Sequence, residues 1–98
     1  LFFQDYDILL TPATPITAPV TGEDALARAR QLTRYTAPFN LTGLPALSLP
    51  GGFSQDGLPI GIQMVAAPWN EARLLCAANA YEQATDWHTR RPEMAPDR

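Results

Sequence analysis

The side chains able to carry covalent or metal chemistry are few and scattered. Ser48 stands in Leu-Ser-Leu-Pro, without the flanking glycines of a nucleophile elbow. The one histidine, His88, lies far along the chain, and a Ser–His pair still needs an orienting acid. One cysteine, one histidine and dispersed carboxylates give no metal-ligand spacing, so no metal is expected. Neither a GxxxxGK[ST] run nor a GxGxxG run is present, and no cofactor is expected. Asp5 and Asp7 would share a strand face, where solvation of a strand end explains them more cheaply than acid–base work. Cys76 stands among alanines and reads as a small buried hydrophobe rather than a reactive thiol. No residue here is assigned a catalytic role.

Size and charge narrow the setting. A chain of 98 residues forms one domain at most. A body of this size hides roughly 60–65% of its unfolded surface, so its core is small. The net charge of −3 argues against nucleic acid as a direct partner. A single cysteine cannot close an internal disulfide, which favours a reducing, cytoplasmic setting. No apolar run approaches the roughly 20 residues of a membrane span, and the start does not read as a signal peptide. The sequence opens on Leu1 and runs straight into a strand pattern, as expected of a piece of a longer protein. All seven basic residues are arginines; there is no lysine.

The elements that would position any site are legible from punctuation and period. Residues 46–49 and 60–64 are short apolar runs, each entered through a Leu-Pro pair, with turn residues filling 50–57. They predict a β-hairpin with a long connection. In its second strand Ile60, Ile62 and Met64 face one way and Gly61, Gln63 and Val65 the other. Gly61 leaves room for close approach, and Gln63, polar among apolar neighbours, must bond a backbone group or face a ligand. Residues 6–11 form an unbroken apolar run, the pattern of a strand covered on both faces in a mostly parallel sheet. Prolines 12, 15 and 19 then keep 11–20 extended.

Two helices are expected. The first runs over 24–35 behind a capping box at Thr21 and Asp24, and Pro38 stops it. Arg30, Thr33 and Ala37 make a stripe along it, while Arg28, Arg30 and Arg34 read as a solvated face. Residues 40–45 form a turn in which Asn40 and Gly43 can take left-handed angles. The second helix covers 72–84 behind Asn70 as N-cap, with Leu74, Ala78 and Tyr81 on one side flanked by Leu75 and Ala77. Trp69 is expected beneath its first turn, and 88–98 as a loose tail.

Three runs in order carry a family resemblance. They are Tyr6-Asp7-Ile8-Leu9-Leu10-Thr11-Pro12-Ala13-Thr14-Pro15, then Thr36-Ala37-Pro38-Phe39-Asn40-Leu41-Thr42-Gly43-Leu44-Pro45-Ala46, then Gly57-Leu58-Pro59-Ile60-Gly61-Ile62-Gln63. With Trp69-Asn70-Glu71 opening the last helix, the order and spacing resemble the carboxy-terminal part of the amidase signature family across residues 5–92. The resemblance implies an α/β fold in which this segment is part of a mixed sheet covered by helices. It also implies hydrolysis of a carboxamide through a serine acyl-enzyme, with a Ser–Ser–Lys triad whose lysine must be neutral to act as base. Lacking lysine and the Gly/Ser-rich signature, these residues would not be catalytically competent alone.

What the resemblance carries over is a wall of the substrate pocket: Arg30, Thr33 and Ala37, with Asn40 as a scaffold residue of the rear loop. In the glutamyl-tRNA(Gln) amidotransferase A subunits of the family, an acidic residue at the Thr33 position is implied to hold the glutamine donor. Thr33 is neutral, which moves the reading toward a general amidase acting on a small linear amide. The alternatives are such an A subunit, or a non-catalytic interaction module. An unpaired sheet edge further predicts self-association.

Overall fold

The computed structural model describes residues 2–19 and 25–92. Strand β1 is Ile8–Pro12, β2 is Ala46–Phe53 and β3 is Pro59–Ala66; the helices are α1, Ala25–Leu32, α2, Ala37–Thr42, and α3, Glu71–Ala84. The α/β class follows as expected. The three strands form one sheet in the order β1-β3-β2. Both pairings are antiparallel, which corrects the parallel neighbours suggested by the apolar run of β1. The hairpin connection forces the first pairing, and β1 then takes the free side of β3 with Thr11 opposite Gln63.

The hairpin is longer and its loop shorter than its punctuation suggests. β2 continues through Pro50, Gly51 and Gly52, and only residues 54–58 form the turn. The ladder steps from Pro50–Gly61 to Gly52–Ile60, leaving Gly51 as the extra residue of a β-bulge. Gly52 takes φ 135°, open to glycine at little cost, and a Cβ there would stand 3.9 Å from the Trp87 ring. The turn is tied by Ser54: its N–H donates to the Leu58 carbonyl at 2.8 Å, its carbonyl accepts from Gly57 N–H at 3.0 Å, and its hydroxyl bonds the Asp56 carboxylate. Gly61 meets the close approach expected of it, since an added Cβ would sit 3.2 Å from that of Ala13.

α3 lies across one face of the sheet. Leu49, Met64 and Ala66 pack against Leu74 and Ala78, with Ile8, Leu47, Ile62, Ala77 and Tyr81 around them. Its buried stripe is therefore the predicted Leu74–Ala78–Tyr81 line, but Leu75 is 63% exposed. Cys76 is exposed too, correcting its reading as buried: two residues past Leu74 places it about 200° around the helix axis. Trp69 also departs from expectation. Its backbone is left-handed at φ 68° and its side chain is 91% exposed, so it points away from α3 rather than beneath it. Asn70 stands at the N-cap position without a side-chain cap hydrogen bond. Residues 87–89 form one 3-10 turn whose Trp87 ring meets Phe53 edge-on at 6.1 Å; the remaining 93–98 of the expected tail, and the Thr21–Asp24 box, lie outside the described residues.

The first helix is shorter than predicted. α1 ends at Leu32, a turn covers 33–36, and Pro38 sits in the first turn of α2 rather than stopping a helix. Proline lacks only a donor that the first turn leaves free, so it starts α2 as readily as it would have ended α1. Asn40 is helical, not left-handed; Gly43 alone takes the left-handed cap at φ 75°, donating to the Phe39 carbonyl at 3.0 Å.

The core predicts its own sensitivity. Leu74→Ala should cost about 2–5 kcal/mol and Leu75→Ala no more than ~0.5 kcal/mol, measured by denaturant unfolding of the chain.

Candidate functional site

On the face opposite α3, the register aligns three polar side chains in one row across the sheet. Thr11, Gln63 and Ser48 are directly paired positions on β1, β3 and β2. Gln63 is 3% exposed. Its Nε2 donates to Thr11 Oγ1 at 2.9 Å and to the backbone carbonyl of Tyr35 at 3.0 Å. Because that carbonyl can only accept, the amide nitrogen must face it, which fixes the orientation of the side chain. The Thr11 hydroxyl in turn donates to the Pro12 carbonyl at 2.8 Å, leaving its oxygen free to accept from Gln63. Gln63 thus does what its sequence context required: it bonds a backbone group, and its remaining Oε1 is the atom left for whatever approaches.

Above the row is a hollow of about 250 Å³, lined by Thr36, Phe39, Asn40, Leu44, Ser48 and Gln63 among others. Asn40 of the expected wall lines it. Arg30, Thr33 and Ala37 are exposed and are not among its lining residues. The break after Leu32 also interrupts the single helical stripe these three were expected to form. Part of it survives: Thr33 N–H donates to the Ala29 carbonyl at 3.1 Å and Ala37 N–H to the Thr33 carbonyl at 2.9 Å. The Thr33 hydroxyl turns back onto the Ala29 carbonyl at 3.0 Å. Thr36, Phe39 and Ser48 went unnoticed in the sequence as hollow-lining residues. The signal was available only for Ser48, through the alternation it shares with Gln63 once the hairpin register is known.

The other chemistry-bearing side chains are placed apart. His88 belongs to a second hollow of about 400 Å³ with Phe53, Trp87, Arg90 and Arg91, so it does not meet Ser48 in the first. Its Nδ1 is buried without a hydrogen-bond partner among the described residues. Arg90 stacks over the Trp87 ring with its guanidinium carbon 5.3 Å from the ring centre. Asp7 pairs with Arg73 at 2.6 Å, tying the first turn of α3 to the start of β1, an exposed pair of the kind worth about 0–1 kcal/mol. Among the described residues no group of three or more His, Cys, Asp and Glu could hold a metal ion. No helix among them is long and apolar enough to cross a membrane.

Fold and site together describe an α/β scaffold: a helix-backed sheet whose open face carries a bonded amide and a polar hollow. The chain belongs to the amidase family, whose model matches residues 1–75. It is 50% identical over 97 residues to the A subunit of glutamyl-tRNA(Gln) amidotransferase from Moorella thermoacetica, covering 94% of this chain and 19% of the relative. Against the same subunit of Chloroflexus aggregans the identity is 47% over 96 residues, covering 95% and 19%. Among solved structures, 6-aminohexanoate cyclic dimer hydrolase matches with a TM-score of 0.82 and 38% identity over 90% of this chain and 21% of that one. The glutamyl-tRNA(Gln) amidotransferase A subunit of Thermotoga maritima matches with a TM-score of 0.59 and 43% identity, covering 67% and 15%. The chain therefore spans about a fifth of the length of the curated relatives it matches.

Gln63→Leu removes both side-chain bonds and leaves the Tyr35 carbonyl without its donor. A loss of about 1–3 kcal/mol is expected in urea unfolding, against less than ~0.5 kcal/mol for Gln55→Leu at the exposed hairpin turn.

Proposed function

We propose that this chain is the carboxy-terminal segment of an amidase that hydrolyses a carboxamide through a serine acyl-enzyme, and that it supplies pocket wall and scaffold. The observation that carries the reading is the match to 6-aminohexanoate cyclic dimer hydrolase, a TM-score of 0.82 over 90% of the chain. The substrate-facing residues are Arg30, Thr33, Ala37 and Asn40, and none of them is a nucleophile or a general base. With no lysine among its 98 residues, the chain takes its serine and lysine chemistry from elsewhere in the protein. The substrate is a small neutral amide, and the setting is the cytoplasm, consistent with a lone cysteine. A further part of the proposal is self-association. β1 and β2 are the outer strands of the sheet, and Leu10 on β1 is 57% exposed, so the isolated chain has an edge and an apolar patch to cover.

A second reading has an observation of its own: 50% identity over 97 residues to an amidotransferase A subunit supports the same role here, with glutamine as donor. The neutral Thr33 supports the first reading, since a threonine offers glutamine's ammonium group no charge.

Ammonia release by the full-length gene product distinguishes the two. An amidase releases ammonia from simple neutral amides without tRNA, whereas an amidotransferase component needs glutamine together with charged tRNA and its partners. No hydrolysis of neutral amides, read as ammonia or amine released, together with no ammonia from glutamine and charged tRNA would overturn both. In an active amidase, Thr33→Asp should raise kcat/KM for glutamine relative to a neutral amide about tenfold, the worth of one charge-assisted hydrogen bond. The 98-residue chain alone should release none, and light scattering should show its mass rising with concentration.

A further inference from the structure

The proposed wall is borne on a turn whose own hydrogen bonds make it a unit. Thr36 N–H and Ala37 N–H both donate to the Thr33 carbonyl, at 3.2 and 2.9 Å. Tyr35 stands inside that turn, two residues from Thr33 and two from Ala37, and its carbonyl accepts from Gln63 Nε2 at 3.0 Å. Gln63 itself has little freedom. Its backbone lies in the central strand, paired on both sides, and its side chain is 3% exposed. The second N–H is held by Thr11 Oγ1 at 2.9 Å, and the Thr11 hydroxyl is held by the Pro12 carbonyl at 2.8 Å. A chain of three hydrogen bonds thus runs from the end of β1, through the central strand, to the wall-bearing turn.

We infer that Gln63 is a positioning residue: by holding the Tyr35 carbonyl it sets the distance of Thr33, Ala37 and Asn40 from the sheet, and so the size of acyl group the pocket admits. The inference rests on the reading of those residues as pocket wall. The effect of Gln63 on the wall passes through the turn, by the bond to the Tyr35 carbonyl. Gln63→Glu, compared at alkaline pH where its carboxylate is ionised, is the informative change: it keeps the shape, has no N–H for Tyr35 or Thr11, and repels the Tyr35 carbonyl. Thr11→Val removes the second anchor only, and Thr11→Ser restores it.

The test uses the full-length gene product and two readouts. Amide hydrogen exchange over residues 33–43 should accelerate at least about tenfold in Gln63→Glu with 71–84 unchanged, whereas Leu74→Ala should loosen 71–84 and spare 33–43. The ratio of kcat/KM between a short-chain and a bulky acyl amide should shift about tenfold in Gln63→Glu, while the exposed-turn change Gln55→Leu leaves that ratio at the wild-type value. Thr11→Val should move both readouts partway and Thr11→Ser return them. Uniform loosening of both segments, or a kcat/KM ratio equal to wild type or moved as far by Leu74→Ala, overturns the inference. If the wild-type protein hydrolyses no amide, the amidase reading fails, and exchange alone decides the clamp: selective loosening of 33–43 supports it and its absence overturns it.

Discussion

A carboxamide buried in the central strand of a small sheet must have its N–H groups bonded, because an unpaired buried donor costs about 1–3 kcal/mol. Gln63 meets that requirement with Thr11 on one side and Tyr35 above. Much of the architecture is constrained by this one demand. It needs β1 beside β3 in the register that sets Thr11 opposite Gln63, since a slip of one residue would turn Thr11 to the α3 face. The turn after α1 supplies the other acceptor, bringing the Tyr35 carbonyl down to the sheet.

The two faces of the sheet are consequently unlike. Beneath α3 the contacts are apolar, from Leu49, Met64 and Ala66 to Leu74 and Ala78. On the other face Val65 is wholly buried, yet its neighbours in the strand direction are Gln63 and Gly61, and a polar hollow opens there beside Ser48 and Asn40. An apolar face stabilises the segment; a polar, partly open one can meet a ligand. The chain carries both faces in a segment that spans about a fifth of the length of its curated relatives. Away from both faces, Trp69 is exposed in a left-handed conformation that a bulky side chain rarely takes.

Local signals were read well where one residue type leaves one option. The Leu-Pro entrances and alternating β3 gave the hairpin, and the Leu74–Ala78–Tyr81 spacing gave the buried side of α3. They misled where a residue permits two outcomes. Gly51 and Gly52 suit a turn and a bulge equally, and pairing to β3 selected the bulge. Pro38 suits the end of one helix and the first turn of the next, and the chain took the second. Cys76 and Leu75 are apolar by type, but helical phase directs them away from the sheet. Of the expected wall, only Asn40 reaches the hollow, because the turn at 33–36 breaks the single helix that was to carry Arg30, Thr33 and Ala37 in one stripe.

By itself the sequence determined the α/β class, the three strands, the helix that covers them, and a basic set made of arginine without lysine. It also marked Gln63 as a residue needing a partner. Only the tertiary structure decided which partners: Thr11 is 52 positions away in the chain and Tyr35 is 28. Composition and periodicity report what each residue prefers over a few neighbours. A row of side chains across three strands depends instead on register and on where a distant turn closes, and those are set when the chain packs.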